Sequence, residues 1–162
     1  MLLGGFMRTL VAVVLSGIVG CTPADPTVAR SPGDVDPQLL APLEALGPCP
    51  PSPSPAADAP EGLYLPAGAA VTTVEVTGPL TNVQGWLPLT PVEVRVHYQR
   101  LDAVDVISVE DEIIESEVLV SDGTYRLFVK AQAACERGSV FVAVRAQEAE
   151  ADAVPTPAGT GP

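Results

Sequence analysis

Val92-Glu93-Val94-Arg95-Val96-His97-Tyr98 alternates apolar and polar side chains over seven positions, and a period of two marks a strand with one buried face. On that reading His97 stands on the polar side of the strand. Further runs rich in valine and isoleucine lie on either side: Ala70 to Thr77, Val104 to Val109, Glu115 to Val120, Tyr125 to Lys130 and Val140 to Arg145. Breakers punctuate them at Gly78-Pro79, Gly85, Pro88, Pro91, Asp122-Gly123 and Gly138. Ser121-Asp122-Gly123-Thr124 is the clearest hairpin turn, because glycine tolerates the positive φ such turns demand. No helical period of useful length runs through this region. Six or seven short strands at close spacing predict an all-β fold, a single small two-sheet antiparallel sandwich over residues 61–150.

Three motifs in that region carry a resemblance. Val76-Thr77-Gly78, then Gly85-Trp86-Leu87-Pro88-Leu89-Thr90-Pro91 leading into Val92-Glu93-Val94-Arg95-Val96, then Asp122-Gly123-Thr124-Tyr125-Arg126-Leu127 are similar to the carboxypeptidase-regulatory-like, or transthyretin-like, modules of secreted bacterial proteins. The likeness covers residues 70 to 146. It implies an antiparallel Greek-key β-sandwich, prealbumin-like or immunoglobulin-like, used for binding, scaffolding or display, and it supplies no catalytic residues.

The N-terminus fits a secretory signal. Arg8 is the only charged side chain among residues 1–20, and an apolar stretch follows from Thr9 to Val19. That stretch is shorter than the roughly 20 residues needed to cross a bilayer. Ile18-Val19-Gly20-Cys21 resembles the lipobox of bacterial lipoprotein precursors, which implies cleavage before Cys21 and lipid attachment at its sulfur. Several acyl chains, at about 0.8 kcal/mol per buried methylene, make a stable anchor. The alternative is an ordinary secretory signal ending near a cysteine. The lipoprotein resemblance further implies, from Thr22 and the absence of aspartate there, the outer membrane if the cell has one. The expected address is the bacterial cell envelope.

From Thr22 to Pro60 there are 39 residues and 11 prolines. Proline restricts its own torsion and that of its predecessor, so residues 21–60 are expected to form an extended, disordered tether. Within it, residues 36–46 form a short helical segment: Asp36 caps, Pro37 starts, leucines 39, 43 and 46 share one face, and Gly47 stops it. Residues 151–162 read as a disordered tail. Cys49 and Cys135 remain for the domain. Outside the cytoplasm such a pair is more often bonded than free, so a disulfide is expected, with two free thiols as the alternative. With one distant histidine, the two cysteines lack metal-ligand spacing.

A net charge of −12 argues against nucleic acid as a partner. No nucleophile motif, histidine pair or serine-lysine pair accompanies His97, so no catalytic residue, enzyme activity or cofactor is expected. Asp102, Asp105, Glu110, Asp111, Glu112, Glu115 and Glu117 lie close together without an intervening Lys or Arg. Glu110, Asp111 and Glu112 are the candidate ligands for calcium, although the glycine of a compact calcium loop is missing and alternation would divide neighbouring side chains between two faces. The ordinary reading is a solvated acidic edge that discourages pairing between strands of different molecules. Trp86 either plugs one end of the domain or is displayed to a partner. The expected function is a non-enzymatic module anchored to the membrane at Cys21, binding or helping to assemble an envelope protein or polymer. The alternative is a calcium- or small-ligand-binding module.

Overall fold

The computed structural model describes residues 37–157. The signal segment 1–20, Cys21, the tether up to residue 36 and the last residues 158–162 lie outside the described residues. Six antiparallel strands carry the fold, as the all-β reading expects: β1 (Ala70–Thr77), β2 (Leu80–Leu87), β3 (Asp105–Asp111), β4 (Glu115–Ser121), β5 (Tyr125–Cys135) and β6 (Gly138–Gln147). They form one continuous sheet in the order β1-β2-β6-β5-β4-β3. Its inner face is covered by a helix and a long loop where a second sheet was expected.

That helix is the stretch quoted first. Pro91–Gln99 is α2, and its N-terminus explains why alternation misled. Thr90 Oγ1 accepts from the Glu93 backbone N–H, while a Glu93 carboxylate oxygen accepts from the Thr90 N–H at 2.9 Å. This reciprocal capping box satisfies two orphan amides, and Pro91 follows it at the first helical position, where its missing N–H costs nothing. Val94 and Tyr98, four apart, are fully buried on one face with Pro91. Val92 and Val96, themselves four apart, lie half-buried on the other side of the helix, so both a helical and a strand period can be read through this stretch. The V-x-V-x-V strand that the family resemblance assigns here is therefore absent.

The strand that replaces it is β2, which contains Gly85 and Trp86. Gly85 is no breaker. A Cβ there would lie 2.2 Å from the Ala70 carbonyl oxygen and 2.7 Å from the Phe141 ring, so only glycine lets β1 approach this closely. The Thr77–Leu80 and Ser121–Tyr125 hairpins turn at Gly78 (φ +59°) and Gly123 (φ +81°).

The inner core joins Val71, Val83, Leu87, Val118, Val120, Leu127, Val129, Phe141 and Ala143 of the sheet to Val94 and Tyr98 of α2 and to Leu63. A smaller cluster on the outer face unites Leu119, Phe128, Val144 and Ala146 with Val154. Val154 stands within the expected tail, beyond a 3-10 turn at Glu148–Ala153, so the packed chain extends past residue 150.

The expected tether also joins the fold. Helix α1 (Pro37–Glu44) includes Pro42 and buries Leu43 to 1% exposure. The Gly47 carbonyl accepts from the Glu136 N–H, and Cys49 is bonded to Cys135. Further on, the Ala56 and Ala57 N–H groups donate to the Val71 carbonyl. Residues 43–69 thus form a strap across one end and the inner face of the sheet, with the prolines from 50 to 55 exposed on its surface. Among the described residues no helix is long and apolar enough to cross a membrane.

Candidate interaction surface

The strap and α2 meet at Tyr64, whose φ of +51° is the one positive value among the described non-glycine residues. Two hydrogen bonds hold this strained conformation, which costs of the order of 1 kcal/mol or more. His97 Nε2 donates to the Tyr64 carbonyl at 2.7 Å, and the Tyr64 hydroxyl donates to Asp122 Oδ2 at 2.8 Å. The neighbouring Tyr98 hydroxyl donates to the Leu63 carbonyl at 2.8 Å. His97 is thus committed to fixing the strap. The hydrogen bond to Asp122 raises the Tyr64 phenol above its ordinary value. Burial pushes the Asp122 carboxyl up, but hydrogen bonds from the Tyr125 and Thr124 N–H groups and from Tyr64 outweigh it and hold Asp122 below the usual carboxylate range.

The acidic run is divided among several partners. Asp111 lies with its Oδ2 3.1 Å from Arg95 Nε of α2, an ion pair whose N–H is not aligned for a hydrogen bond. Partial desolvation raises the Asp111 carboxyl, against the lowering effect of Arg95. Glu115 and Glu117 both accept from Lys130 Nζ, at 2.5 and 2.9 Å, and these bonds hold the Lys130 ammonium up to about 12. Glu110 and Glu112 flank that pair in a recess of about 180 Å³. The calcium candidates Glu110, Asp111 and Glu112 therefore do not converge: Asp111 turns to α2 while the other two line the Lys130 recess. Among the described residues no three His, Cys, Asp or Glu side chains are grouped to hold a metal ion.

Both end strands keep open edges, β1 beyond Val71, where Val76 is 72% exposed, and β3 along its length. β3 is last in the sheet. Val106, Ile107 and Val109 are 39 to 47% exposed along it, and Ile113 and Ile114 are exposed at the tip of the β3–β4 hairpin. A bulge between Val106 and Ser108 carries Ile107 out of register. Asp105 stands exposed at the start of the strand and Glu112 just beyond its end. The sequence carried one sign of this surface. Val106-Ile107 and Ile113-Ile114 are adjacent apolar pairs, and alternation along a strand cannot bury both members of a pair on one face.

Trp86 is not part of this surface. It is half-buried at the disulfide end, where a Cβ on Gly138 would lie 2.8 Å from the indole and 2.8 Å from Cys135 Sγ. The ring therefore packs over the β5–β6 turn as a plug. Comparison of the chain with protein-family models, with curated proteins and with solved structures finds no match.

Proposed function

We propose that the chain is a lipid-anchored, extracytoplasmic binding module without enzymatic activity, attached at Cys21 to the bacterial cell envelope and presenting its sheet to an envelope protein or polymer. The observation that carries this reading is the division of the three cysteines. Cys49 and Cys135 are joined in a disulfide, with Cα atoms 5.0 Å apart, and disulfides persist in oxidising compartments. The third cysteine stands immediately after Ile18-Val19-Gly20, where lipidation would use it. Two further arrangements support a binding role. The one histidine is spent on the Tyr64 carbonyl, and the acidic residues nearest the sheet edge are engaged by Arg95 and Lys130.

The test is fractionation of cells expressing the full chain and its Cys21→Ser variant, with the intact mass of each. The wild-type protein is expected in the membrane fraction as residues 21–162 plus lipid, gaining two hydrogens on reduction. The variant is expected in the soluble fraction. A soluble, unlipidated wild-type protein would end the reading.

A further inference from the structure

We propose that β3 is a strand-addition site for a partner's extended segment in which aliphatic residues alternate with lysine or arginine. The inference rests on the binding role given above and names the partner's chemistry. An edge strand offers a row of backbone N–H and C=O groups that a further strand can pair with, and native proteins usually block such rows. Here β3 ends the sheet, and no further strand among the described residues pairs with it.

Two features select the occupant. Val106 and Val109 sit opposite Val120 and Val118 of β4, whose side chains belong to the inner core. The two β3 valines are thus the exposed margin of that core, and an added strand that placed its own aliphatic side chains beside them would extend the apolar layer. The charge around the margin is predominantly negative, although Arg95 pairs with Asp111 and Lys130 with Glu115 and Glu117. Asp105 and Glu112 are exposed at its two ends, and Asp102 precedes it. No Lys or Arg occurs between Arg100 and Arg126. A basic partner gains from this field, while an acidic one is repelled.

A second copy of the chain is the poorer occupant. The antiparallel register that pairs the whole of β3 with itself sets Asp105 opposite Asp111, and like charges directly opposed destabilise a strand pair. That pairing disfavours a second copy, whereas a strand of opposite charge meets no such repulsion.

The probe is a peptide of alternating lysine and valine, matched to the seven residues of β3. It is added to the oxidised full chain and followed by hydrogen exchange. Slower exchange within residues 105–111 and unchanged exchange within 70–77 are expected. Peptides alternating glutamate with valine, or lysine with serine, should bind at least about tenfold more weakly. Binding should also weaken as salt rises from about 0.1 M to about 1 M, where screening shortens to about 3 Å. The Asp105→Lys/Glu112→Lys variant, which changes only exposed side chains, should exchange the lysine preference for the glutamate peptide. Equal binding of both charged peptides, protection at β1 in place of β3, pairing of two chains through β3, or no protection by any peptide would overturn the proposal. None of these results bears on the anchor, which the mass of the membrane-extracted protein decides separately.

Discussion

Strand β1 begins beneath the strap, where the Ala56 and Ala57 amides reach the Val71 carbonyl and Ala70 and Val71 are buried. β3, at the opposite edge, meets no further strand among the described residues and leaves Val106, Ile107 and Val109 partly exposed. The chain thus treats two equivalent liabilities differently. Over the first residues of β1 the cover is an irregular segment too rich in proline to pair as a strand, held by Cys49–Cys135 at one end and by Leu63 and Tyr64 in the core, while the strand beyond Val71 stays exposed. At β3 the protection is charge, which deters like edges and leaves the backbone accessible to others. The difference teaches that covering an edge depends on a fixed attachment more than on strand propensity.

The largest expected effect breaks the covered side. Cys49→Ser releases a closure across a sequence separation of 86 residues, and the chain-entropy model assigns such a loop between about 4 and 5 kcal/mol. Urea unfolding of the variant should show that loss, and a loss under 1 kcal/mol would mean the strap contributes little constraint. A smaller effect is expected of Tyr64→Phe, about 1 kcal/mol near neutral pH, since it removes the hydroxyl that helps depress Asp122. A depressed carboxyl adds stability above its unfolded pKa, and that contribution disappears as pH falls through the folded value. The stability gap between wild type and variant should accordingly close toward pH 2, and a gap independent of pH would remove Asp122 from the account. The smallest effect belongs to the open edge: Val109→Lys should alter stability by no more than about 0.5 kcal/mol, because the side chain is already 39% exposed.

Most of the sheet was legible in valine-rich runs and turn signals. β1 stands at Ala70–Thr77, and the Asp122-Gly123 turn joins β4 to β5. Two neighbouring segments exchanged their readings for a physical reason. Val92 to Tyr98 supports both periods, and the deciding signal was the capping box Thr90-Pro91-Val92-Glu93 just upstream. Leu80–Leu87 was hidden because Gly85 reads as punctuation until the approach of Ala70 and Phe141 is known. The strap was harder still. Proline content describes local stiffness, whereas docking of residues 43–69 depends on contacts with β1 and β5 that are distant in sequence. The acidic residues were visible, but their assignment to Arg95 or Lys130 follows from α2 and the register of β4 with β5.

The most direct test of the covered and open edges is hydrogen exchange of the full chain, oxidised and then reduced, without any ligand. Slow exchange at Ala56 and Ala57 in the oxidised chain, faster exchange in β3 than in β4, and release of residues 47–57 on reduction while β4 stays protected are the expected results. Residues 47–57 exchanging at the rate of a free chain before reduction would contradict them, because the strap would then be a tether after all.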